Sequence, residues 1–138
     1  MTDVMVTRTR DRPPAGVLGS VPAVDLRPLL GGWVNCNQHT TGIHRIEIGD
    51  WEGMPIVRVF GAGRPAPIDW GEAAGSAFTD GVGRREAVAF TATYDLGFMQ
   101  VLLACYIKLR LLVVNAYSTF TDSSGRASYW QPDNFYRP

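Results

Sequence analysis

The chain has 138 residues, with 13 basic and 13 acidic side chains and a formal net charge of 0, so its length allows one domain with a buried core. The balanced charge and the absence of a basic patch argue against a nucleic-acid partner. Fifteen glycines and nine prolines suit a turn-rich all-β chain.

The first 28 residues are polar and then rich in proline, with Pro13, Pro14, Pro22 and Pro28. No periodicity runs through them. We expect an N-terminal arm, either disordered or folded as a flap across a barrel mouth, and then one domain over residues 29–138. The opening MTDVMVTRTRDRPP contains no apolar core of a signal peptide, which favours a cytoplasmic location.

Eight β-strands with mostly short connections are predicted after the arm, at residues 31–37, 42–49, 54–61, 70–78, 87–94, 98–106, 109–120 and 127–136. No helical pattern interrupts them. Evenly spaced short strands are typical of a sandwich or a barrel, and hairpin connections favour closure. We therefore predict an all-β, eight-stranded antiparallel up-and-down barrel with a Pro-rich N-terminal arm. Such a barrel is filled by side chains or holds one small ligand.

Local signals refine this barrel. Gly71 and Gly75 weaken the fourth strand, and a glycine inside a strand often marks a bulge or a barrel corner. A tight reversal is predicted near Ile107-Lys108. In the second strand, alternation places His44 with Ile46 and Ile48 on one face.

The opposite face of the second strand carries Ile43, Arg45 and Glu47, and Arg58 lies on the next strand. The simplest interpretation is an exterior ladder of ion pairs, which stabilises little when exposed. If this face pointed inward, it would form a polar site suited to acid–base chemistry. The sequence leaves the two orientations open.

Strands 98–106 and 109–120 are apolar on both faces. A half-solvated antiparallel strand should show one polar face, so these strands are either covered on both sides or part of an oligomer interface. We predict a homodimer. A membrane segment is not expected, because Gln100, Lys108, Arg110 and Asn115 interrupt the run and a spanning helix needs about 20 mostly apolar residues.

Aromatic side chains within the strands are the main functional signal. Tyr and Trp bury large areas and keep a polar atom for a ligand, and small-molecule sites are mostly apolar with a few polar groups. The same residues equally suit a filled core. The candidate ligand-binding residues are Trp33, Asn35, His44, Phe60, Trp70, Phe90, Tyr94, Tyr117 and Trp130, and among them His44, Tyr94 and Tyr117 are the candidates for catalysis.

Motifs for other chemistry are missing. His39 and His44 have no carboxylate or cysteine cluster nearby, so no metal site is predicted. No serine lies in a nucleophile elbow and no phosphate loop is present, so we expect no cofactor. Cys36 and Cys105 are far apart in sequence, and we favour free thiols over a disulfide.

At Gly31-Gly32-Trp33 the chain resembles the calycin-type barrels, the lipocalins and avidins, whose first strand begins with a Gly-x-Trp turn. The likeness in topology covers about residues 31–137. It implies that Trp33 plugs one end of the barrel and that a basic residue packs on it. Arg137 is placed to do so, and Arg126 is a second candidate.

The chain also resembles a group of small, functionally uncharacterised bacterial proteins. The similar stretches are WVN and GIHRIEI, the loop FGAGRPAPIDWGE and the tail FTDSSGR. In that group the loop often carries two cysteines, at positions that look like Gly63 and Ile68 here. The resemblance therefore implies that a loop disulfide is missing, which fits a reducing compartment. It brings no known activity with it.

Three functions follow from the predicted barrel. The first is the enclosure of a small apolar molecule in an aromatic-lined cavity. The second is a cofactor-independent cyclase or isomerase in the same cavity, for example in a bacterial natural-product pathway. A closed pocket that folds a flexible substrate accelerates its reaction by proximity, and the analogy is with the fold of small β-barrel cyclases. The third is an oligomeric interaction module.

Overall fold

The structure is a computed structural model and describes residues 24–138. These residues form nine antiparallel β-strands in one sheet, whose order is β4-β3-β2-β1-β9-β8-β7-β6-β5. The strands are β1 (Gly31–Asn35), β2 (Ile43–Trp51), β3 (Met54–Gly61), β4 (Ile68–Ala74), β5 (Ser76–Phe78), β6 (Ala89–Asp95), β7 (Met99–Lys108), β8 (Leu111–Phe120) and β9 (Tyr129–Tyr136).

The sheet curls into a nearly closed barrel, because its two end strands are consecutive in the chain. β4 pairs with β3 and β5 pairs with β6, and only Gly75 separates β4 from β5. The backbone N–H of Gly75 donates to the carbonyl of Pro55 at 2.8 Å, and a Cβ at Gly75 would lie 2.8 Å from the carbonyl oxygen of Thr91. The predicted antiparallel barrel is confirmed, with nine strands instead of eight because the predicted strand 70–78 is divided at this corner.

Two hairpins turn through two residues with positive φ, the combination that type I′ turns require. Glu52 and Gly53 connect β2 to β3, with φ of 52° and 85°. Leu109 and Arg110 connect β7 to β8, with φ of 52° and 67°. The reversal predicted near Ile107-Lys108 is therefore wrong by two residues, since both of those residues still pair with β8.

The inner faces of β2 and β3 carry Ile46, Ile48, Val57 and Val59, all buried. His44 does not share this face, contrary to the sequence prediction. The pairing register shifts between Ile43 and Arg45, so that the extra residue changes the alternation and Ile43 becomes the buried one.

The charged side chains of β2, β3 and β4 lie outside the barrel. Arg58 binds Asp69 at 2.5 Å and approaches Glu72 at 4.0 Å, and Arg45 lies 3.3 Å from Glu47. Each of these side chains is at least 40 % exposed. The exterior position of these charges is therefore confirmed, although Arg58 pairs with Asp69 and Glu72 of β4 and not with Glu47 across the β2–β3 hairpin. The alternative of an inward acid–base site from Arg45 and Glu47 is wrong.

One end of the barrel is sealed by Trp33, with Leu26 and Leu29 buried around it. The indole N–H of Trp33 donates to the Leu29 carbonyl at 2.9 Å. The guanidinium of Arg137 lies 4.1 Å from the Trp33 ring centroid. It also donates hydrogen bonds to the carbonyls of Pro28 and Leu30.

This plug has the arrangement that the resemblance implied for Trp33 and Arg137, and the barrel is compatible with a calycin-like fold. Arg126 is not part of it, because its guanidinium stacks on Phe120 at 3.9 Å instead. Of the predicted arm, residues 1–23 lie outside the described residues, so a flap across the mouth stays a prediction. No helix of residues 24–138 has the length and apolar character needed to span a membrane.

Candidate functional site

The barrel end opposite the Trp33 plug opens into a cavity of about 120 Å³. Inner-face side chains of six strands and their adjoining loops form its wall. The apolar part of the wall comes from Ile43, Met99, Val101, Val114 and Ala116, the aromatic part from Trp70 and Tyr129, and the polar part from Thr41, Ser118, Gln131 and Asp133.

Two glycines make room for polar side chains at this mouth. A Cβ at Gly42 would lie 2.9 Å from Oε1 of Gln131, and a Cβ at Gly61 would lie 2.7 Å from Nε1 of Trp70. Real Cβ atoms essentially never come closer than 3.0 Å to another heavy atom. Any larger residue at either position would therefore displace a hydrogen-bonding group from the cavity.

Asp133 gives the cavity its charge, because it is the only acidic or basic side chain among the described lining residues. Burial raises the pKa of its carboxyl group above the ordinary value of 3.8, because a desolvated carboxylate is disfavoured. A hydrogen bond from the Asn35 side chain acts in the opposite direction and lowers this pKa.

Asn35 is itself buried and has further partners. Its amide donates to the Ile43 carbonyl at 2.9 Å, and its Oδ1 accepts from the backbone N–H of Asn37 at 2.8 Å. These bonds fix the amide beside Asp133. Asn35, one of the predicted ligand-binding residues, therefore supports the cavity from behind its wall.

Three predicted site residues lie deeper in the core. Trp33 belongs to the plug, and Phe90 is fully buried. The Tyr94 hydroxyl lies 2.7 Å from the Val57 carbonyl and 2.8 Å from the Gly71 carbonyl, and its ring meets Trp70 edge-on at 5.6 Å. Burial raises the pKa of Tyr94 to about 12. Tyr94 is thus a neutral hydrogen-bond donor that joins β6 to β3 and β4. Of the four aromatic residues Trp33, Phe90, Tyr94 and Trp70, only Trp70 lines the cavity.

The remaining predicted residues lie outside the barrel. Phe60 lies beneath the guanidinium of Arg45, at 4.2 Å. Tyr117 and Trp130 are 47 % and 57 % exposed, because Val114, Ala116 and Ser118 occupy the inner face of β8. His44 lines an outer cleft next to the cavity, with His39 and Arg64 in the loops. Of the predicted ligand-binding residues, the structure thus brings only Trp70 into the cavity wall.

Ser118, Gln131 and Asp133 were not among the predicted site residues. A signal for two of them was present in β9, where alternation puts Gln131, Asp133 and Phe135 on one face, and Phe135 is fully buried. An acid in phase with a buried aromatic residue indicates an inward carboxyl group. Ser118 had no comparable signal, because both faces of its strand look apolar.

Further side chains bear on chemistry. Both cysteines are free, as predicted, with Cys36 exposed and Cys105 buried, and burial raises the pKa of the Cys105 thiol. Gly63 and Ile68, the two loop positions that resemble the cysteine positions of the similar bacterial proteins, lie close together in space. A Cβ at Gly63 would lie 2.7 Å from the Ile68 side chain. Over residues 24–138, no three His, Cys, Asp or Glu side chains are grouped to hold a metal ion.

Comparison of the chain with protein-family models, curated proteins and solved structures found no match. The chemistry of the mouth cavity is therefore interpreted from its own geometry.

Proposed function

We propose that the protein binds a small, mainly apolar molecule in the mouth cavity of its barrel. The observation that supports this is a barrel sealed at one end by Trp33 and open at the other into a cavity of about 120 Å³. An apolar cavity of about 150 Å³ accommodates a benzene molecule. The proposed ligand therefore inserts a group about the size of one small ring, and any longer part extends into solvent.

The cavity wall supports both affinity and orientation. Ile43, Val101 and Val114 offer apolar surface, which favours the transfer of an apolar group from water. Ser118 and Gln131 offer hydrogen bonds at fixed positions. An apolar wall with a few convergent polar groups is the usual form of a small-molecule site.

A cofactor-independent cyclase or isomerase is the second candidate function. The position of Asp133 favours it, because a partly buried carboxyl group with a raised pKa suits proton transfer. Asp133 thus replaces His44, Tyr94 and Tyr117 as the proposed acid–base group. Under this alternative, Asp133→Asn abolishes turnover of the ligand while its binding persists.

We further propose a homodimer formed through the outer face of β7, β8 and β9. Leu102, Tyr117 and Trp130 lie side by side in register across these strands. They are 43 %, 47 % and 57 % exposed.

We also propose a cytoplasmic location. Both cysteines are free, which agrees with a reducing compartment.

Native mass spectrometry of freshly purified protein, followed by denaturing extraction, tests the binding function. We expect a small molecule that is released on unfolding. Ala116→Phe fills the cavity and should remove this adduct, whereas Ala127→Phe, at an exposed position near the same barrel end, should retain it. Thermal unfolding checks that both variants are folded, and Ala116→Leu serves if Phe does not fit.

A wild-type protein without an adduct that also fails to bind hydrophobic dyes would contradict the binding proposal. An adduct that survives in the folded Ala116→Phe variant would place the ligand elsewhere on the protein.

A further inference from the structure

The charge of the mouth cavity is carried by one group, the carboxyl of Asp133. His39, His44 and Arg64 line the outer cleft, which adjoins the cavity at Thr41 and Ala62, and not the cavity itself. A carboxylate held among apolar side chains is costly unless an opposite charge or hydrogen-bond donors compensate it. The side chain of Asn35 supplies one such donor. A ligand that brings a positive charge would supply the rest.

We propose that the mouth cavity selects small organic cations, protonated primary amines with a short apolar body. The inference rests on the proposed binding function and names the ligand class. It depends on the pairing of a cavity carboxyl group with apolar and aromatic walls, which together match an ammonium group joined to a hydrocarbon.

The polar groups around Asp133 fit the donors of an ammonium group. An –NH₃⁺ group has three N–H donors and no acceptor, so it needs acceptor oxygens. The carboxylate of Asp133 and Oε1 of Gln131, two residues away on the same face of β9, are acceptors on the lining. Oε1 of Gln131 is directed towards Gly42 at the mouth, where only a glycine leaves room for it.

The aromatic lining favours the same ligand. Trp70 and Tyr129 lie on the cavity wall, and the faces of such rings attract cations. An anionic ligand would instead meet the carboxylate of Asp133 and be repelled. A neutral ligand would leave the charged form of Asp133 desolvated, without an opposite charge.

The volume of about 120 Å³ limits the body of the amine to a short alkyl chain or a small ring. Butylamine, butanol and butyrate share an alkyl chain and differ in charge, so they are suitable probes. Binding of each is measured by NMR titration at neutral pH, from the backbone amide shifts of cavity residues such as Val101 and Ser118.

We expect the wild-type protein to bind butylamine about tenfold more tightly than butanol, because charge-assisted hydrogen bonds are stronger than neutral ones. Butyrate should bind most weakly. Asp133→Asn should bring the ratio of butylamine to butanol affinity close to one. Asp122→Asn, which neutralises an acid paired with Arg126 in the loop before β9, should leave this ratio unchanged.

The outcomes separate this inference from the binding function on which it rests. Equal affinities for butylamine and butanol in the wild type, or a preference that persists in Asp133→Asn, would overturn the amine assignment and leave the binding function standing. If no probe shifts the cavity residues at millimolar concentration, both proposals fail.

Discussion

At the scale of single residues, Asp133 links the chemistry of the cavity to the pH dependence of stability. Its pKa is higher in the folded protein than the ordinary 3.8, because burial disfavours the carboxylate. The folded state therefore favours the protonated acid. This contribution to stability is complete below the ordinary pKa and is lost as the pH rises through the folded pKa. Above the folded pKa, the ionised form of Asp133 therefore destabilises the fold.

Asp133→Asn is therefore expected to stabilise the protein at pH 7 and to raise its Tm. Well below pH 3.8 both side chains are neutral, so the gain should vanish. Thermal unfolding followed by circular dichroism between pH 3 and pH 7 measures this difference.

Asp122→Asn is the matched control for the sign of this effect. Hydrogen bonds from Ser124 and Arg126 lower the pKa of Asp122, so its charged form is favoured in the folded state. The substitution should be neutral or slightly destabilising at pH 7. A loss of stability in Asp133→Asn at pH 7 would contradict the conclusion that the fold disfavours the charged form of Asp133.

At the scale of elements, closure of the barrel depends on the corner between β4 and β5. The chain leaves β3 and joins β6 within one residue, Gly75. The carbonyl oxygen of Thr91 occupies the space where a side chain would begin. This oxygen is a backbone atom and cannot move without disturbing the pairing of β5 with β6.

Gly75→Ala should lower the free energy of unfolding by about 1–3 kcal/mol, the usual cost of forcing extra atoms into a packed site. Gly49→Ala in β2 is the control, because a Cβ there meets no atom within 4 Å. It should change stability by less than about 0.5 kcal/mol. Urea unfolding of the two variants measures both values, and equal effects would contradict this account of the corner.

At the scale of the whole molecule, the outer face of β7, β8 and β9 exposes the large side chains of Leu102, Tyr117 and Trp130. Trp130 is held there by a hydrogen bond from its indole N–H to Oδ1 of Asn115 at 3.0 Å. Asn115 also donates to the Ala104 carbonyl at 3.3 Å. The face is therefore ordered in advance, which lowers the entropy cost of binding a second copy.

Trp130→Ser should weaken the proposed homodimer at least about tenfold, since a central tryptophan is often a binding hot spot. Trp51→Ser is the matched control, because Trp51 is 62 % exposed at the end of β2 and outside this face. Sedimentation velocity over a range of concentrations measures the dissociation constants. A wild-type protein that is monomeric at every concentration would contradict the dimer.

Alternation and turn residues were enough to predict the barrel, including the bounds of β3 and a break at Gly75. The predicted faces were wrong where one extra residue in a strand changes the alternation. The register shifts beside His44 and again opposite Gly71, and strand pairing decides both positions. The turn at Leu109 and Arg110 was misplaced because neither residue is a usual choice for positive φ.

The cavity was harder to predict than the barrel. In β8 both faces are apolar, so the sequence does not tell whether Tyr117 or Ser118 points inward. Pairing with β7 and β9 decides it, and Ser118 becomes buried. The contact between Arg137 and Trp33 decides which barrel end is open. These two residues are far apart in the chain, so the alternation of residues along a strand does not predict their contact.

That same contact constrains the order of events during synthesis. Trp33 is synthesised before Arg137, and β1 pairs with its second neighbouring strand only when β9 has emerged. Until then β1 has an unpaired edge, and the plug lacks its guanidinium cover. We therefore expect the barrel to close only after β9 has been synthesised, so a ribosome-bound chain that still lacks β9 would expose apolar interior surface to chaperones.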